Sequence, residues 1–339
     1  MKQISEIPAR PGSIHWLPGI AAMAAAGLLA LHPTPSLAVE GGTGAYLPGS
    51  RDTMAGFAPP PGDYFTLDVF HLDSQAPFLP INGLVLTDVT SSATVTKLNF
   101  THSFATPLRG GQPYVTVTVP YVNGSLSFAG SLTNGLSGGF TDDQSGMGDL
   151  TITPALGYHS GNNHWVYAAS VFVPTGYYEP ASFDVPARSA SVLSFGKNRW
   201  AITPTIAYTN LNMKTGLELS ASAGITFSAE NQATNYQTAP EVLIEFAAMQ
   251  HLKSGFAFGV SGYLYQQTGD DTGAGADAVR KYTGAESLQA SMQGFGPIVS
   301  YNTKIGDTAV SMKLKYLTEV NAKRRFESDV WSGSFNIAF

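Results

Sequence analysis

Between residues 214 and 229, apolar and polar side chains alternate almost without a break. Leu217, Leu219, Ala221, Ala223, Ile225 and Phe227 fall on one side of an extended chain. Glu218, Ser220, Ser222, Thr226 and Ser228 fall on the other. Period 2 is the period of a β-strand with one apolar face and one polar face. The pattern recurs along nearly the whole chain from Asp63 onward, over 63–74, 95–107, 112–122, 148–160, 164–175, 199–210, 214–229, 238–251, 255–268, 288–303, 308–321 and 330–339. These segments run to roughly 10–16 residues, enough for a tilted strand to cross a bilayer. Strands of soluble sandwiches and propellers are nearer 5–6 residues, which makes that alternative the weaker one.

The connections alternate as well. Short turns fall near Arg109-Gly110-Gly111, Asn162-Asn163, Leu211-Asn212, Leu252-Lys253-Ser254 and Gly306-Asp307. Longer loops fall near 75–94, 123–147, 176–198 and 269–287, with shorter ones near 230–237 and 322–325. Short turns at one end and long loops at the other are the habit of bacterial transmembrane barrels. The last ten residues set Trp331, Phe335, Ile337 and Phe339 against Ser332, Ser334, Asn336 and Ala338. Such a strand, ending on an aromatic residue, resembles the closing strand of an outer-membrane barrel. That resemblance implies that Phe339 is read by the barrel-assembly machinery. Tyr121, Tyr158, Trp165, Tyr208, Tyr316 and Trp331 lie near expected strand ends, where an amphipathic ring suits the lipid–water boundary. The expected fold is all-β: a transmembrane antiparallel up-and-down β-barrel of about 12 strands. Lipid covers its apolar face, and an even strand count puts both termini in the periplasm.

The start of the chain agrees with export. Lys2 and Arg10 form a weakly basic front, Ile20 to Ala30 an apolar core, and Ser36-Leu37-Ala38 a small-residue cleavage site. This is the plan of a signal peptide over residues 1–38; a membrane anchor is the alternative, but the core is shorter than a spanning helix needs. Residues 39–62 follow with Gly41-Gly42, Gly44, Pro48-Gly49 and Pro59-Pro60-Pro61-Gly62. Gly and Pro at this density do not form regular ladders. They read as an amino-terminal arm, either a plug in the barrel mouth or a flexible periplasmic tail. Residues 63–339 form the barrel, located in the outer membrane of a Gram-negative cell. Cysteine is absent, so no disulfide framework or thiolate metal site exists. Only 12% of residues are charged, yet no later segment has 18 consecutive apolar residues, which excludes a helical membrane protein. The net charge is −6, with no basic patch to bind nucleic acid.

Several short stretches in order carry a family likeness. They are Gly146-Met147-Gly148-Asp149-Leu150, His159 and His164 around a turn, Pro174-Thr175-Gly176-Tyr177, Glu230-Asn231, Thr234-Asn235-Tyr236, Gly262-Tyr263-Leu264-Tyr265-Gln266-Gln267 and Gly294-Phe295-Gly296-Pro297. With Pro59-Pro60-Pro61-Gly62-Asp63-Tyr64 of the arm, they resemble the outer-membrane protein family linked to the meta-cleavage pathway of phenol degradation. Asn235 and Tyr177 stand where that family commonly has Asp. The resemblance implies a porin-like barrel for uptake of small aromatic or other hydrophobic compounds.

The lumen face carries the candidate site. Asp68, Glu218, Glu241 and Glu245 are acidic; Lys97, Lys313 and Lys315 are basic. Such charges tune ion selectivity or pair across a narrow lumen and hold it rigid. Tyr263, Tyr265 and Gln267 share one face and form either a slide for a phenol-like solute or lumen packing against the arm. Leu126, Phe128, Leu132, Leu136 and Phe140 make the 123–147 loop apolar, suited to an inward fold or to a β-extension above the membrane. Asp270, Asp271 and Asp277 lack the spacing of a Ca²⁺ loop and read as solvated charge beside a flexible Gly273/Gly275 tip. An enzyme is not expected. In His159-Ser160 and His102-Ser103 adjacent strand residues point to opposite faces, out of hydrogen-bond reach. No metal-ligand spacing or phosphate loop calls for a cofactor. The expected function is a passive channel; the alternative is a structural or adhesion barrel with a filled lumen.

Overall fold

The computed structural model describes residues 39–81, 84–131, 137–179, 182–184 and 189–339. The leader expected over residues 1–38, and Leu132 and Leu136, lie outside them. The strands are β1 (Gly62–Ile81), β2 (Leu84–Ser103), β3 (Gln112–Ser131), β4 (Ser137–Met147), β5 (Leu150–Ser160), β6 (Asn163–Val173), β7 (Ser182–Asp184), β8 (Ser189–Ser191), β9 (Ala201–Asn212), β10 (Leu217–Ser228), β11 (Glu241–His251), β12 (Phe256–Gln267), β13 (Ser291–Ile305), β14 (Thr308–Lys323) and β15 (Glu327–Ala338). Among the described residues one α-helix, α1 (Ala274–Thr283), sits in a loop, and Glu40–Gly42 forms a single 3₁₀ turn.

The strands close into a ring. β1 pairs with β2 on one side and with β15 on the other, from Tyr64↔Ala338 to Gln75↔Glu327. β4 and β5 are two halves of one wall strand, both laid against β3, with the break at Gly148-Asp149. β7 and β8 form a small hairpin above the wall, touching β4 at Thr141↔Ser189. The wall therefore has twelve antiparallel strands. Closure pairs the backbone polar groups of every wall strand, the condition for spanning lipid.

Alternation decides the two faces. On β12, Phe256, Phe258, Val260 and Leu264 are exposed on the outer face, while Ser261, Tyr263, Tyr265 and Gln267 are buried inside. β10 repeats this with Leu217, Leu219 and Phe227 outside and Glu218, Ser220, Ser222 and Thr226 inside. Trp165 lies across from Tyr158 and Tyr208 near the short-turn end. The Tyr316 and Trp331 rings pack 4.8 Å apart farther along the wall. The closing strand is tied down by the Phe339 N–H donating to Asp63 O at 2.9 Å.

Two expectations are corrected, and one choice between alternatives is decided. The stretch 75–94 is not a long loop: the ladder runs on through Ser74↔Ser91 and Gln75↔Thr90 to Ile81↔Leu84. Its Pro77, Pro80 and Asn82-Gly83 read as turn residues and its Ser/Thr run carries little alternation, yet backbone pairing continues. The stretch 123–147 is the β-extension alternative, β3 with β4. Leu126, Phe128 and Phe140 pack inward with Ala76, Val89 and Val192 as a small core. The 269–287 loop exposes Asp270 and Asp277, as expected, but it is not a loose tip. It carries α1, closed by Gly284 in the left-handed conformation at φ 68°, and Asp271 in it is fully buried.

Candidate functional site

Residues 39–61 run inside the barrel, and each anchor of this arm is a polar side chain of the wall or loops. At the short-turn end, the Phe57 ring lies 5.0 Å from the His159 ring and 4.9 Å from the His164 ring. The Gly56 N–H donates to Thr209 Oγ1 at 2.9 Å. This close approach needs glycine, because a Cβ there would meet Thr209 N at 2.5 Å and His164 O at 2.6 Å. Next, Glu218 accepts from Thr53 Oγ1 (2.8 Å), the Met54 N–H (2.6 Å) and Ser220 Oγ (2.6 Å), and lies 2.6 Å from His251 Nε2. Met54 takes a left-handed φ of 57° to make its turn.

Midway up the lumen, Asp52 receives Lys313 Nζ on one oxygen and Lys315 Nζ on the other, both at 2.7 Å. Burial alone would raise the Asp52 carboxyl. The two ammoniums outweigh it and hold the group at about 2. A depressed carboxyl stabilises docking above its ordinary range near ~3.9 and loses that contribution only as pH falls through its folded value, so the Asp52 pair persists at neutral pH. Lys315 Nζ also donates to Gly49 O, and Lys97 Nζ to Ser50 Oγ at 2.8 Å. Glu245 accepts from Tyr46 Oη (2.9 Å) and the Arg51 N–H (3.1 Å). At the long-loop end Glu40 takes Arg199 Nη1 at 2.7 Å, Asn231 Nδ2 and Thr234 Oγ1. Lys197 Nζ donates to Thr43 Oγ1 at 2.6 Å. Burial, then Arg199, pull the Lys197 ammonium down to about 8. Last, the Val39 N–H donates to Asp271 Oδ2 at 2.8 Å.

Glu218, Glu245, Lys313 and Lys315 lie on β10, β11 and β14, and the other anchors come from β2, β5, β6, β9 and the loops; the arm does not fill the lumen. A cavity of about 510 Å³ remains between the arm and the β1–β6 wall. Thr116, Thr118, Thr151, Thr153 and Ser170 give it a hydroxyl lining; Leu72, Val95, Val122 and Phe172 give it an apolar one. Asp68, Asn99 and Thr118 form a hydrogen-bonded row along it: Asn99 Nδ2 donates to Asp68 Oδ2 at 2.8 Å, and Thr118 Oγ1 to Asn99 Oδ1 at 2.7 Å. Toward the long-loop end the cavity adjoins a polar vestibule of about 520 Å³ lined by Ser, Thr and acidic residues, which shares Ser74, Ser91, Glu319 and Ser328 with it. Size and mixed lining are those of a small-molecule site.

The residues expected from sequence sit as follows. Glu218, Glu245, Lys313 and Lys315 all face the lumen and all hold the arm. Glu241 accepts from Tyr265 Oη at 2.6 Å. Tyr263 Oη donates to Glu319, and Gln267 Nε2 donates to Asp271 Oδ1 at 2.8 Å. Tyr263, Tyr265 and Gln267 are thus buried with their polar ends engaged, away from the cavity. Ser160 lies apart from any base pairing: His159 Nδ1 is instead 2.6 Å from His164 Nδ1. Sequence reasoning missed Asp52, Asp271, Arg51, Thr118 and Arg199. A signal for Asp52 was present. Lys313 and Lys315 share one face, and their cross-strand neighbours are Ser300, Ile298, Ser334 and Ser332, none of them acidic. Their countercharge had to come from outside the neighbouring strands.

Comparison with known proteins was made on sequence and on structure. The profile of the family described as the MetA pathway of phenol degradation matches residues 73–334. No curated protein sequence matches the chain. Among solved structures, an outer membrane channel of Pseudomonas putida F1 is similar at 17% identity and a TM-score of 0.61, over 87% of this chain and 100% of that one. The toluene transporter of Ralstonia pickettii is more distant, at 12% identity and a TM-score of 0.43, over 91% of this chain and 98% of that one. The first likeness establishes the shared fold, an outer-membrane β-barrel.

Proposed function

This chain belongs to the family described as the MetA pathway of phenol degradation, and we propose that it is a passive outer-membrane channel for small aromatic or other hydrophobic solutes. The observation that carries this reading is the cavity of about 510 Å³ left beside the arm. Its apolar side chains suit an aromatic ring, and its row of hydroxyls and amides offers partners to a phenol-like oxygen. The arm serves as an internal constriction held by ion pairs; the carboxy-terminal end lies on the periplasmic side with Phe339 as the assembly signal, whereas the arm carries Val39 through the lumen to the long-loop end, which departs from the expectation of two periplasmic termini. The membership in this family and the fold shared with a Pseudomonas putida channel support the same reading.

The test is ionic conductance in a planar bilayer, titrated with phenol at concentrations that leave the bare bilayer intact. Thr118→Trp narrows the cavity at a residue that does not itself anchor the arm. The expected result is a wild-type current that falls as phenol binds, and a Thr118→Trp current that is smaller and no longer responds. A wild-type current indifferent to phenol and unchanged by Thr118→Trp would sink the proposal.

A further inference from the structure

The far end of the arm is held by a carboxylate that lacks a countercharge. Asp271 is fully buried in the loop before α1. Its Oδ1 accepts from the Ala239 N–H (2.7 Å) and Gln267 Nε2 (2.8 Å). Its Oδ2 accepts from Tyr236 Oη (2.6 Å) and Val39 N (2.8 Å). Among the described residues no Lys, Arg or His ion-pairs with this carboxylate. Arg280 reaches only the Asp271 backbone oxygen. A buried charge served solely by neutral donors is costly. The nitrogen on Oδ2 belongs to the residue that follows Ser36-Leu37-Ala38, the cleavage site expected from sequence. Val39 itself is fully buried and has a φ of 62°, which a β-branched residue rarely adopts within a chain.

We propose that Asp271 is a receptor for the chain's own new amino terminus: removal of the leader after Ala38 creates the ammonium that ion-pairs with it and locks the arm through the lumen. Hydrolysis by a signal peptidase adds one water across the Ala38–Val39 bond, leaving a carboxylate on Ala38 and an ammonium on Val39. An α-amino group is largely protonated at neutral pH, so cleavage supplies the missing positive charge. It also frees Val39 from its strained φ, since a terminal residue has none. Recognition of a terminal amine by a buried acceptor set is a recurrent mode of peptide capture. This lock does not depend on which solute the channel passes.

The test is amine labelling of the mature, outer-membrane-extracted protein with an acylating reagent at pH 7, read by mass spectrometry of the amino-terminal peptide. Heat-modifiable migration on gels confirms that each variant is folded. The lock requires Val39 as the first residue, protected when folded and labelled when unfolded. Asp271→Asn should raise folded-state labelling roughly tenfold or more. A Gly-Ser insertion between Ala38 and Val39 displaces the ammonium with the wall untouched and should do the same. The two changes combined should add little beyond either alone. A first residue other than Val39, a folded wild-type amine labelled as fast as the unfolded one, or protection that survives both changes would overturn the proposal.

Discussion

At the residue scale, Glu218 and Asp52 are two of the charged groups that tie the arm to the wall. Four groups converge on the Glu218 carboxylate: Thr53, Met54, Ser220 and His251. Replacing it with Ala leaves buried donors unmatched and one imidazole without its acid, a loss of roughly 3–5 kcal/mol by analogy with broken buried pairs. Urea unfolding in lipid vesicles should show that loss, with Glu218→Gln retaining more of the stability than Glu218→Ala. Asp52→Asn acts differently. It leaves Lys313 and Lys315, two residues apart on one face, without their shared anion. Like charges drive apart what they flanked, and single-channel records should become noisier with larger openings. Conductance steps identical to wild type would contradict the anchoring role. The ten lumen-face residues read from sequence all lie on the inner face, because alternation reports the face directly. Their partners were illegible. Asp52 lies in a Gly/Pro-rich arm with no period, and Asp271 lies among polar loop residues that look solvated until four donors are found around it.

At the element scale, the arm seats by contact with wall backbone. Gly56→Ala puts a Cβ against Thr209 N and His164 O, neither of which can swing aside. The arm should lift from the wall, and trypsin cleavage after Arg51 should accelerate in the folded protein. Gly333→Ala on β15 meets nothing within 4 Å and should leave the cleavage rate at the wild-type value. If the two variants behave alike, the seat at Gly56 does not matter. The contrast between elements also explains what sequence could show. β10 and β12 were plain because lipid requires one apolar face. The upper parts of β1 and β2 were hidden because Ser74, Ser91, Ser92 and Thr90 are polar with no lipid to face. α1 was hidden because Gly273 and Gly275 suggested a loose tip, whereas Gly273 opens the helix and Gly284 closes it.

For the whole molecule, the account describes a twelve-stranded wall whose lumen is divided lengthwise. The arm occupies part of that lumen, and the cavity of about 510 Å³ lies beside the arm, lined in part by the arm itself. Closure of the ring between β1 and β15 makes the wall independent of the arm, so the arm can be removed without opening the sheet. The most direct measurement is therefore single-channel conductance of the mature protein beside a variant lacking residues 39–58, each with and without phenol. The account predicts a small, steady wild-type conductance reduced by phenol, and a several-fold larger conductance in the deletion variant with little response to phenol. A folded deletion variant that conducts no better than wild type would contradict the claim that the arm is what narrows the pore.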